Sequence, residues 1–119
     1  MNTNIKQALE NDRVIDITTI GRKTGQPRRI EIWFHNVDGR LFITGLPGHR
    51  DWYANLVANP NFTFHLKDSV QADLPARAVP ITEEKQRRAV MAAITRKLSG
   101  EHDLEDWVAR SPLVEVQLA

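Results

Sequence analysis

A basic segment that contains two glycines is the part of this sequence best suited to bind an anion. Residues 21–29 carry four cationic side chains and no acidic one. Gly21 and Gly25 allow the backbone to turn its amide groups inward, and Thr24 adds a hydroxyl donor. The segment therefore indicates a cradle for a phosphate group, although a solvated basic hairpin turn accounts for the same composition equally well. It is not a Walker A loop, because it leads into a predicted strand rather than a helix.

A second glycine-containing loop, residues 45–50, lies directly before a predicted helix. The start of a helix is a natural seat for an anion, and Arg50 would add positive charge there. Trp52 offers a flat face to a planar ring, although a lone tryptophan is more often a buried anchor for a short helix. Together the two loops would suit a ligand with an aromatic head and an anionic tail.

The remaining residue types exclude several kinds of chemistry. The chain has no cysteine, which excludes a catalytic thiol, a disulfide framework, a thiolate zinc site and an iron-sulfur cluster. None of the serines lies in a nucleophile elbow. The histidines lack the paired spacing of metal ligands, so no metal site is predicted; they are His35, His49, His65 and His102. Any redox chemistry must therefore be supplied by a bound cofactor.

Apolar residues that alternate with polar ones predict three strands in the first half of the chain. The first covers residues 14–20. The second alternates two sets of residues, Ile30, Ile32 and Phe34 on the buried face, and Glu31, Trp33 and His35 on the other. Asp38-Gly39 then supplies a tight turn, so residues 41–44 return as the partner strand of a hairpin.

Three further strands are predicted in the second half. One contains Phe62, Phe64 and Leu66, and the last contains Val114, Val116 and Leu118. Between them, residues 70–81 read as extended. Pro75 and Pro80 confine this strand to an edge or a bulge, because proline has no amide hydrogen to donate.

Short helices are predicted between and beside the strands, from capping residues and apolar spacing. They cover residues 4–10, the segment that Asp51 caps and Asn59 ends, the segment that Thr82 caps and Gly100 ends, and residues 103–110. Hairpin-connected strands with few helices predict a mainly β (α+β) fold, a small antiparallel barrel with two to four flanking helices.

The composition is that of one globular domain over residues 1–119. Lys and Arg number 16 against 15 Asp and Glu, so the net charge is +1. The longest apolar run, residues 89–94, is far shorter than the roughly 20 residues that cross a bilayer. The N-terminus lacks the basic and then apolar order of a secretory signal. These features predict a cytoplasmic protein without a membrane span.

Residues 18–28 and 51–60 together resemble the deazaflavin-dependent nitroreductase family, within the split β-barrel class that also holds the pyridoxamine-phosphate-oxidase-like flavoproteins. The resemblance implies a split β-barrel and an oxidoreductase that uses coenzyme F420, an 8-hydroxy-5-deazaflavin. The phosphate and acidic tail of the coenzyme would be held by Arg22, Lys23, Thr24, Gly25 and Arg28. The phosphate or the ring edge would be contacted by Leu46, Pro47, Gly48, Arg50 and Trp52.

The same resemblance implies hydride transfer to a small activated acceptor, such as a quinone, a nitroaromatic compound or an enone. Trp33 and His35 would shape the acceptor pocket if their face of the strand lines the ligand groove. No catalytic residue is predicted, because solvent can supply the proton. Tyr53 is the only tyrosine, so the nitroimidazole activity of relatives with C-terminal tyrosines is not expected. Split barrels commonly pair, so a homodimer is expected.

Three alternatives remain open at this point. An FMN-dependent oxidoreductase on the same barrel would use the same cations, since FMN also joins a tricyclic ring to a phosphate. A non-catalytic protein that binds a flavin or deazaflavin would have the same loops. A nucleic-acid-binding barrel would stack bases on Trp33, Phe62 or Phe64. The near-zero net charge and the predicted inward orientation of Phe62 and Phe64 argue against nucleic acid.

Overall fold

The computed structural model describes residues 2–119, in which six antiparallel strands close into a barrel flanked by four helices. The strands are β1 (Val14–Ile20), β2 (Pro27–Val37), β3 (Arg40–Thr44), β4 (Asn61–Leu66), β5 (Ala72–Pro80) and β6 (Leu113–Leu118). The helices are α1 (Thr3–Asn11), α2 (Asp51–Ala58), α3 (Glu84–Lys97) and α4 (Leu104–Arg110). Within residues 2–119, no helix is long and apolar enough to cross a membrane. The predicted mainly β antiparallel barrel with flanking helices is confirmed.

Pairing between β1 and β4 closes the barrel, whose strand order is β1-β2-β3-β6-β5-β4. The residues that face inward form the main core, and Ile15, Ile17 and Phe64 are fully buried in it. Phe64 packs edge to face on Phe34 of β2, with ring centroids 5.2 Å apart. Phe62 is also buried, so these two phenylalanines are not available to stack on bases. The predicted inward face of β4 is therefore confirmed, and that of β2 is confirmed at Phe34, whereas Ile30 at the start of the strand is exposed.

A second core lies between the outer surface of the barrel and two helices. Phe42 of β3 and Leu113 of β6 point outward and are buried with Met91 of α3 and Trp107 of α4. Leu113 and its neighbour Phe42 would be exposed on an isolated barrel, so their burial holds α3 and α4 against it. This second core places the end of α4 close to the loop that precedes α2.

Charged side chains on the outer face of β1, β2 and β4 pair with one another. Asp16 contacts Arg29 at 3.0 Å and Lys67 at 2.7 Å, and Lys67 also contacts Glu31. The hydrogen bond from Lys67 and the contact with Arg29 lower the pKa of Asp16, against the opposing effect of burial. The cations of this face therefore already have anionic partners.

His65 is a buried histidine whose two ring nitrogens are both satisfied. It lies on β4 and is 6% exposed. Its Nε2 lies 2.7 Å from the hydroxyl of Thr18, and its Nδ1 lies 2.7 Å from the carboxylate of Asp73. The hydrogen bond with His65 lowers the pKa of Asp73. These contacts explain how a polar ring is buried between strands without a metal ligand role.

Two predicted helix caps and one predicted helix end are wrong. Asp51 is the first residue of α2 rather than its N-cap, because its carboxylate contacts a cation of the neighbouring loop instead of the helix amides. At α3, Glu83 rather than Thr82 is the N-cap, and its carboxylate accepts hydrogen bonds from two amides of the first turn. A charged acceptor interacts with the helix dipole more strongly than a hydroxyl does. The same helix ends at Lys97, before Gly100 is reached.

The prediction that prolines confine β5 to an edge or a bulge is also wrong. β5 pairs with both β4 and β6, because a closed barrel has no edge strand. Pro75 lies where β6 ends, since the pairing with β6 begins at Ala76 and the amide of Ala119 donates to the Pro75 carbonyl at 3.1 Å. Pro80 is the last residue of β5. The missing amide hydrogens therefore fall at the ends of the hydrogen-bond ladder.

Candidate functional site

A cleft of about 450 Å³ opens where β1 ends and β2 begins, beside the first turns of α2. It brings together five of the residues that the sequence nominated for an anionic aromatic ligand, namely Arg22, Lys23, Thr24, Arg28 and Trp52. The other lining residues are Thr19, Gly21, Ile30, Asp51 and Asn55. Gly25 closes the loop without lining the cleft. The basic segment is thus one wall of a cavity and not an isolated surface turn.

The loop between β1 and β2 has a fixed backbone shape that needs both of its glycines. The amide of Gly21 donates to the Gln26 carbonyl, and the amide of Gly25 donates to the Gly21 carbonyl, both at 2.8 Å. A Cβ atom on Gly21 would lie 2.7 Å from the hydroxyl oxygen of Thr24, which is closer than two such atoms can approach. Gly25 has φ +69°, in the left-handed region that favours glycine.

This shape leaves polar donors of the loop without protein acceptors. Within residues 2–119, the amides of Lys23 and Thr24 donate to no other group. The Thr24 hydroxyl accepts a hydrogen bond from the Gln26 amide at 3.2 Å and retains its own hydrogen to donate. In the same part of the chain, Lys23 and Arg28 form no ion pair. Backbone amides, a hydroxyl and two cations suit a phosphate group.

Arg22 has a different role, because it joins the loop to α2. Its amide and its Nη1 both donate to the Asn55 side-chain oxygen, at 3.1 and 2.9 Å, and its Nη2 donates to Asp51 at 3.3 Å. Asn55 is 5% exposed and lies 3.5 Å from the Thr19 hydroxyl. The hydrogen bond from Arg22 is the largest cause that lowers the pKa of Asp51, with a smaller contribution from His49. Arg22 therefore anchors the loop as well as lining the cleft.

Asn55 is a site residue that sequence analysis did not identify. It shares the buried face of α2 with Trp52 and Leu56, one turn apart. An amide on an apolar helix face was the available signal, because a buried amide requires a hydrogen-bond partner. Its partner Arg22 lies 33 residues earlier in the chain, so helix periodicity alone does not reveal the contact.

The cleft lining also contains two large apolar side chains, Ile30 and Trp52. Ile30 lies on the inward face of β2 at the rim of the barrel and is 37% exposed. Trp52 is 8% exposed and packs edge to face against Tyr53, so it is a core anchor that also presents part of its ring to the cleft. A cleft whose lining contains both cationic donors and apolar side chains fits a phosphorylated planar ring. Its volume is in the usual range for cofactor sites.

The loop of residues 45–50 does not join this cleft as predicted. Gly48 and Arg50 line a second cavity on the other side of α2, whereas Leu46 and Pro47 line neither cavity. The cause is a long-range hydrogen bond, from the amide of Gly48 to the carbonyl of Arg110 at 3.1 Å, which holds the loop against the end of α4.

Trp33 and His35 also lie outside the cleft. Their face of β2 points away from the barrel interior, whereas Ile30 on the opposite face lines the cleft. Trp33 is 47% exposed beside Val14 of β1. His35 borders a small cavity at the end of α3. The condition on which they were assigned to an acceptor pocket is therefore not met within this chain.

The environment of His35 lowers its pKa strongly. Burial is the largest cause, and the charges of Arg13 and Lys97 add to it, so that the pKa falls to about 4. His35 is therefore neutral at neutral pH and behaves as a packed ring of the fold.

The comparisons with known proteins agree with the fold and with the ligand class. A family model described as F420H(2)-dependent quinone reductase matches residues 1–118. A solved conserved hypothetical protein from Mycobacterium tuberculosis superposes with TM-score 0.74 at 18% identity, over 99% of this chain and 81% of its own. A solved F420 reductase gives 0.70 at 16%, over 96% and 92%. A solved putative pyridoxamine 5'-phosphate oxidase from Listeria innocua gives 0.71 at 13%, over 96% and 90%.

Removal of the Asn55 amide should loosen the basic loop. In Asn55→Ala, the amide and guanidinium of Arg22 lose their shared acceptor, so we expect a stability loss of about 1–3 kcal/mol and faster hydrogen exchange at the bonded amides of Gly21, Arg22 and Gly25. Urea unfolding and amide exchange measure the two effects. Asp51→Asn is the matched control, because it weakens only exposed contacts, with Arg22 and His49, and should change the stability much less than Asn55→Ala does. Equal exchange in wild type and Asn55→Ala would contradict the anchoring role.

The pKa of His35 predicts a pH dependence of stability. The unfolded chain protonates His35 near its ordinary pKa of 6.5, and the folded chain does so only near 4. The unfolded state therefore binds more protons in this window, and wild-type stability should fall, by up to about 3 kcal/mol, as the pH is lowered through it. His35→Gln should show a smaller fall in urea titrations at pH 7 and pH 4. An NMR titration of His35 with a midpoint at 6 or above would contradict the prediction.

Proposed function

The chain belongs to the F420H(2)-dependent quinone reductase family, and we propose that it transfers a hydride from reduced coenzyme F420 to a small activated acceptor at the cleft between the β1–β2 loop and α2. One observation supports this most directly. The cleft lining combines cations and amides that have no partner within residues 2–119 with the apolar side chains of Ile30 and Trp52. This is the combination that a phosphorylated tricycle requires.

The phosphate of the coenzyme would be held by the β1–β2 loop. Lys23 and Arg28 supply positive charge, and the amides of Lys23 and Thr24 supply directed donors. Gly25 contributes through its left-handed backbone, which turns the chain so that the loop closes. Arg22 adds charge from a fixed position, because Asn55 and Asp51 already hold its guanidinium.

The ring of the coenzyme would lie against Ile30 and Trp52. When bound, the reduced deazaflavin ring supplies the hydride, so the protein contributes position and the exclusion of water. Asp51 is the only acid that lines the cleft within residues 2–119, and Arg22 keeps its pKa below the ordinary value. Asp51 is therefore ionised at neutral pH and does not act as a proton donor. Solvent supplies the proton, and no catalytic residue of the chain is required.

We propose quinones as the first acceptors to test, with nitroaromatic compounds and enones after them. The family description supports quinones. Uncharged acceptors fit beside Ile30 and Trp52, because these two side chains offer apolar contact area. Nitroaromatic acceptors follow from their low-lying unoccupied orbitals, which also accept a hydride from a reduced ring.

FMN is the competing cofactor, since it also joins a tricycle to a phosphate. Fluorescence titration of the protein with oxidised F420 and with FMN separates the two cofactors, and tighter binding of FMN would contradict the proposal. Stopped-flow oxidation of the reduced coenzyme by a quinone then separates an enzyme from a carrier. Tight F420 binding without transfer to any acceptor class would favour the carrier.

We also propose that the chain forms a homodimer. A 119-residue chain leaves little surface to enclose a tricyclic ligand, and Trp33 exposes nearly half of its surface on the outer face of the barrel. Light scattering during size-exclusion chromatography should give twice the chain mass. A monomer at every micromolar concentration would contradict this proposal.

Neutralising the loop cations should weaken coenzyme binding without affecting the fold. In Lys23→Gln and Arg28→Gln, the loss of one charged hydrogen bond to the phosphate corresponds to about a tenfold or larger rise in the Kd for F420. Lys85→Gln is the control, because Lys85 is an exposed cation on α3 away from the cleft. Circular dichroism should be the same for all four proteins. An unchanged Kd in both loop variants would contradict the assignment of the phosphate to this loop.

A further inference from the structure

A second cavity, of about 510 Å³, lies across α2 from the cleft. It is bordered by the loop before α2, by Tyr53 and Arg87, and by the end of α4. Trp52 lines the first cleft and its neighbour Tyr53 lines this cavity, so α2 lies between the two cavities. The reaction proposed for the cleft does not use any group of this second cavity.

The lining of the cavity is strongly basic. Three arginines line it, and none of its lining residues is acidic within residues 2–119. Arg110 is neutralised by Asp106, which accepts its Nη2 hydrogen bond at 2.9 Å. In the described part of the chain, Arg50 and Arg87 form no ion pair, although both are half-buried. Partly desolvated guanidinium groups without a carboxylate favour the entry of an anion.

Arg87 is held rigidly at this wall by backbone carbonyls. Its Nε donates to the carbonyl of Val108 at 2.7 Å and its Nη1 donates to that of Ile81 at 2.8 Å, while its Nη2 donates to the carbonyls of Trp107 and Ser111. Burial is the largest cause that lowers the pKa of Arg87. The carbonyl dipoles offset part of the charge, but they are not a counter-ion, so the wall remains positive.

Arg50 is positioned by the glycines of its loop. Its Nη1 donates to the carbonyl of His49 at 2.8 Å, and a Cβ atom on Gly48 would lie 3.3 Å from the same Nη1. Gly48 has φ +128°, so a side chain is disfavoured there on conformational grounds as well. Within residues 2–119, the Nε and Nη2 of Arg50 donate to no protein group. These donors form a fork that matches a carboxylate or a phosphate.

Ser111 adds an unusual hydroxyl to the same wall. It is 3% exposed, and its Oγ is a buried polar atom without a hydrogen-bond partner within residues 2–119. A buried unsatisfied hydroxyl carries a free-energy cost unless a partner is supplied. An oxyanion that enters the cavity could supply it after a rotation about the Ser111 side-chain bond.

We propose that this cavity is a second oxyanion site, which binds the carboxylate or phosphate of a small molecule between Arg50 and Arg87 with the ring of Tyr53 as its apolar wall. The site itself follows from the charges and contacts of the cavity, whereas the source of the anion rests on the proposed function. One source is the acidic tail of the coenzyme in the cleft. The other is an acceptor that carries a carboxylate.

Inorganic phosphate, titrated into the ligand-free chain, tests the site directly. In ¹H–¹⁵N NMR spectra we expect phosphate to shift the Tyr53 and Ser111 amides in a saturable way. The apparent Kd for phosphate obtained from these shifts should rise about tenfold or more in Arg50→Gln. They should persist in Arg28→Gln, which alters only the first cleft, and in Arg96→Gln, an exposed cation on α3. The Lys23 and Thr24 amides report on the first cleft in the same spectra. Absence of phosphate binding at the first cleft is therefore distinguishable from absence of phosphate binding at this cavity.

Two comparisons in Arg50→Gln identify the source of the anion. If Arg50→Gln raises the Kd for intact F420 more than it raises the Kd for a deazaflavin fragment without the tail, the site binds the tail. A larger rise in KM for a carboxylated quinone than for an uncharged one assigns it to the acceptor. Phosphate shifts at Tyr53 and Ser111 that are the same in wild type and Arg50→Gln would overturn the proposal. Phosphate binding without either kinetic or affinity difference would indicate an adventitious ion only, and would overturn it as well.

Discussion

The hydrogen bonds from Arg22 to Asn55 are the contact on which the arrangement of the site depends. They join the loop between β1 and β2 to the buried face of α2, and through Asn55 they reach the Thr19 hydroxyl of β1. Without this contact, the loop would be a solvated basic turn, one of the two interpretations that its composition allows. With it, the loop becomes one wall of a cleft that Ile30 and Trp52 also line. A single buried amide thus converts a cluster of like charges into an oriented site.

Some cations on the barrel surface are paired with acids, whereas four cations that line the two cavities are not. On the outside of the barrel, Arg29 pairs with Asp16, and Arg40 pairs with Glu115. The cations that line the two cavities and lack a carboxylate partner within residues 2–119 are Lys23, Arg28, Arg50 and Arg87. A net charge of +1 is compatible both with paired cations on the barrel surface and with unpaired cations in the cavities. The net charge of the chain therefore does not report the positive charge inside these cavities.

Helix α2 contributes residues to both cavities. Its buried face carries Trp52 and Asn55 to the cleft, while Tyr53 projects to the second cavity. The hydrogen bond from Gly48 to Arg110 fixes the loop before the helix, and the Arg22 contacts fix its first turns. Because the loop before α2 is held by α4, the position of the second cavity depends on the packing of α4 on the barrel.

The sequence by itself determined the strands, the inward faces and the basic loop. These follow from alternation over a few residues and from glycines at turns, which act locally, so Phe34 and Phe64 could be assigned to the core without a structure. Only the tertiary structure decided which loops meet. The contact of the β1–β2 loop with α2 formed a cleft that Ile30 lines, and a hydrogen bond to the Arg110 carbonyl holds Gly48 at the second cavity. Such outcomes depend on the register of strands and on hydrogen bonds between residues far apart in sequence, which local patterns do not encode.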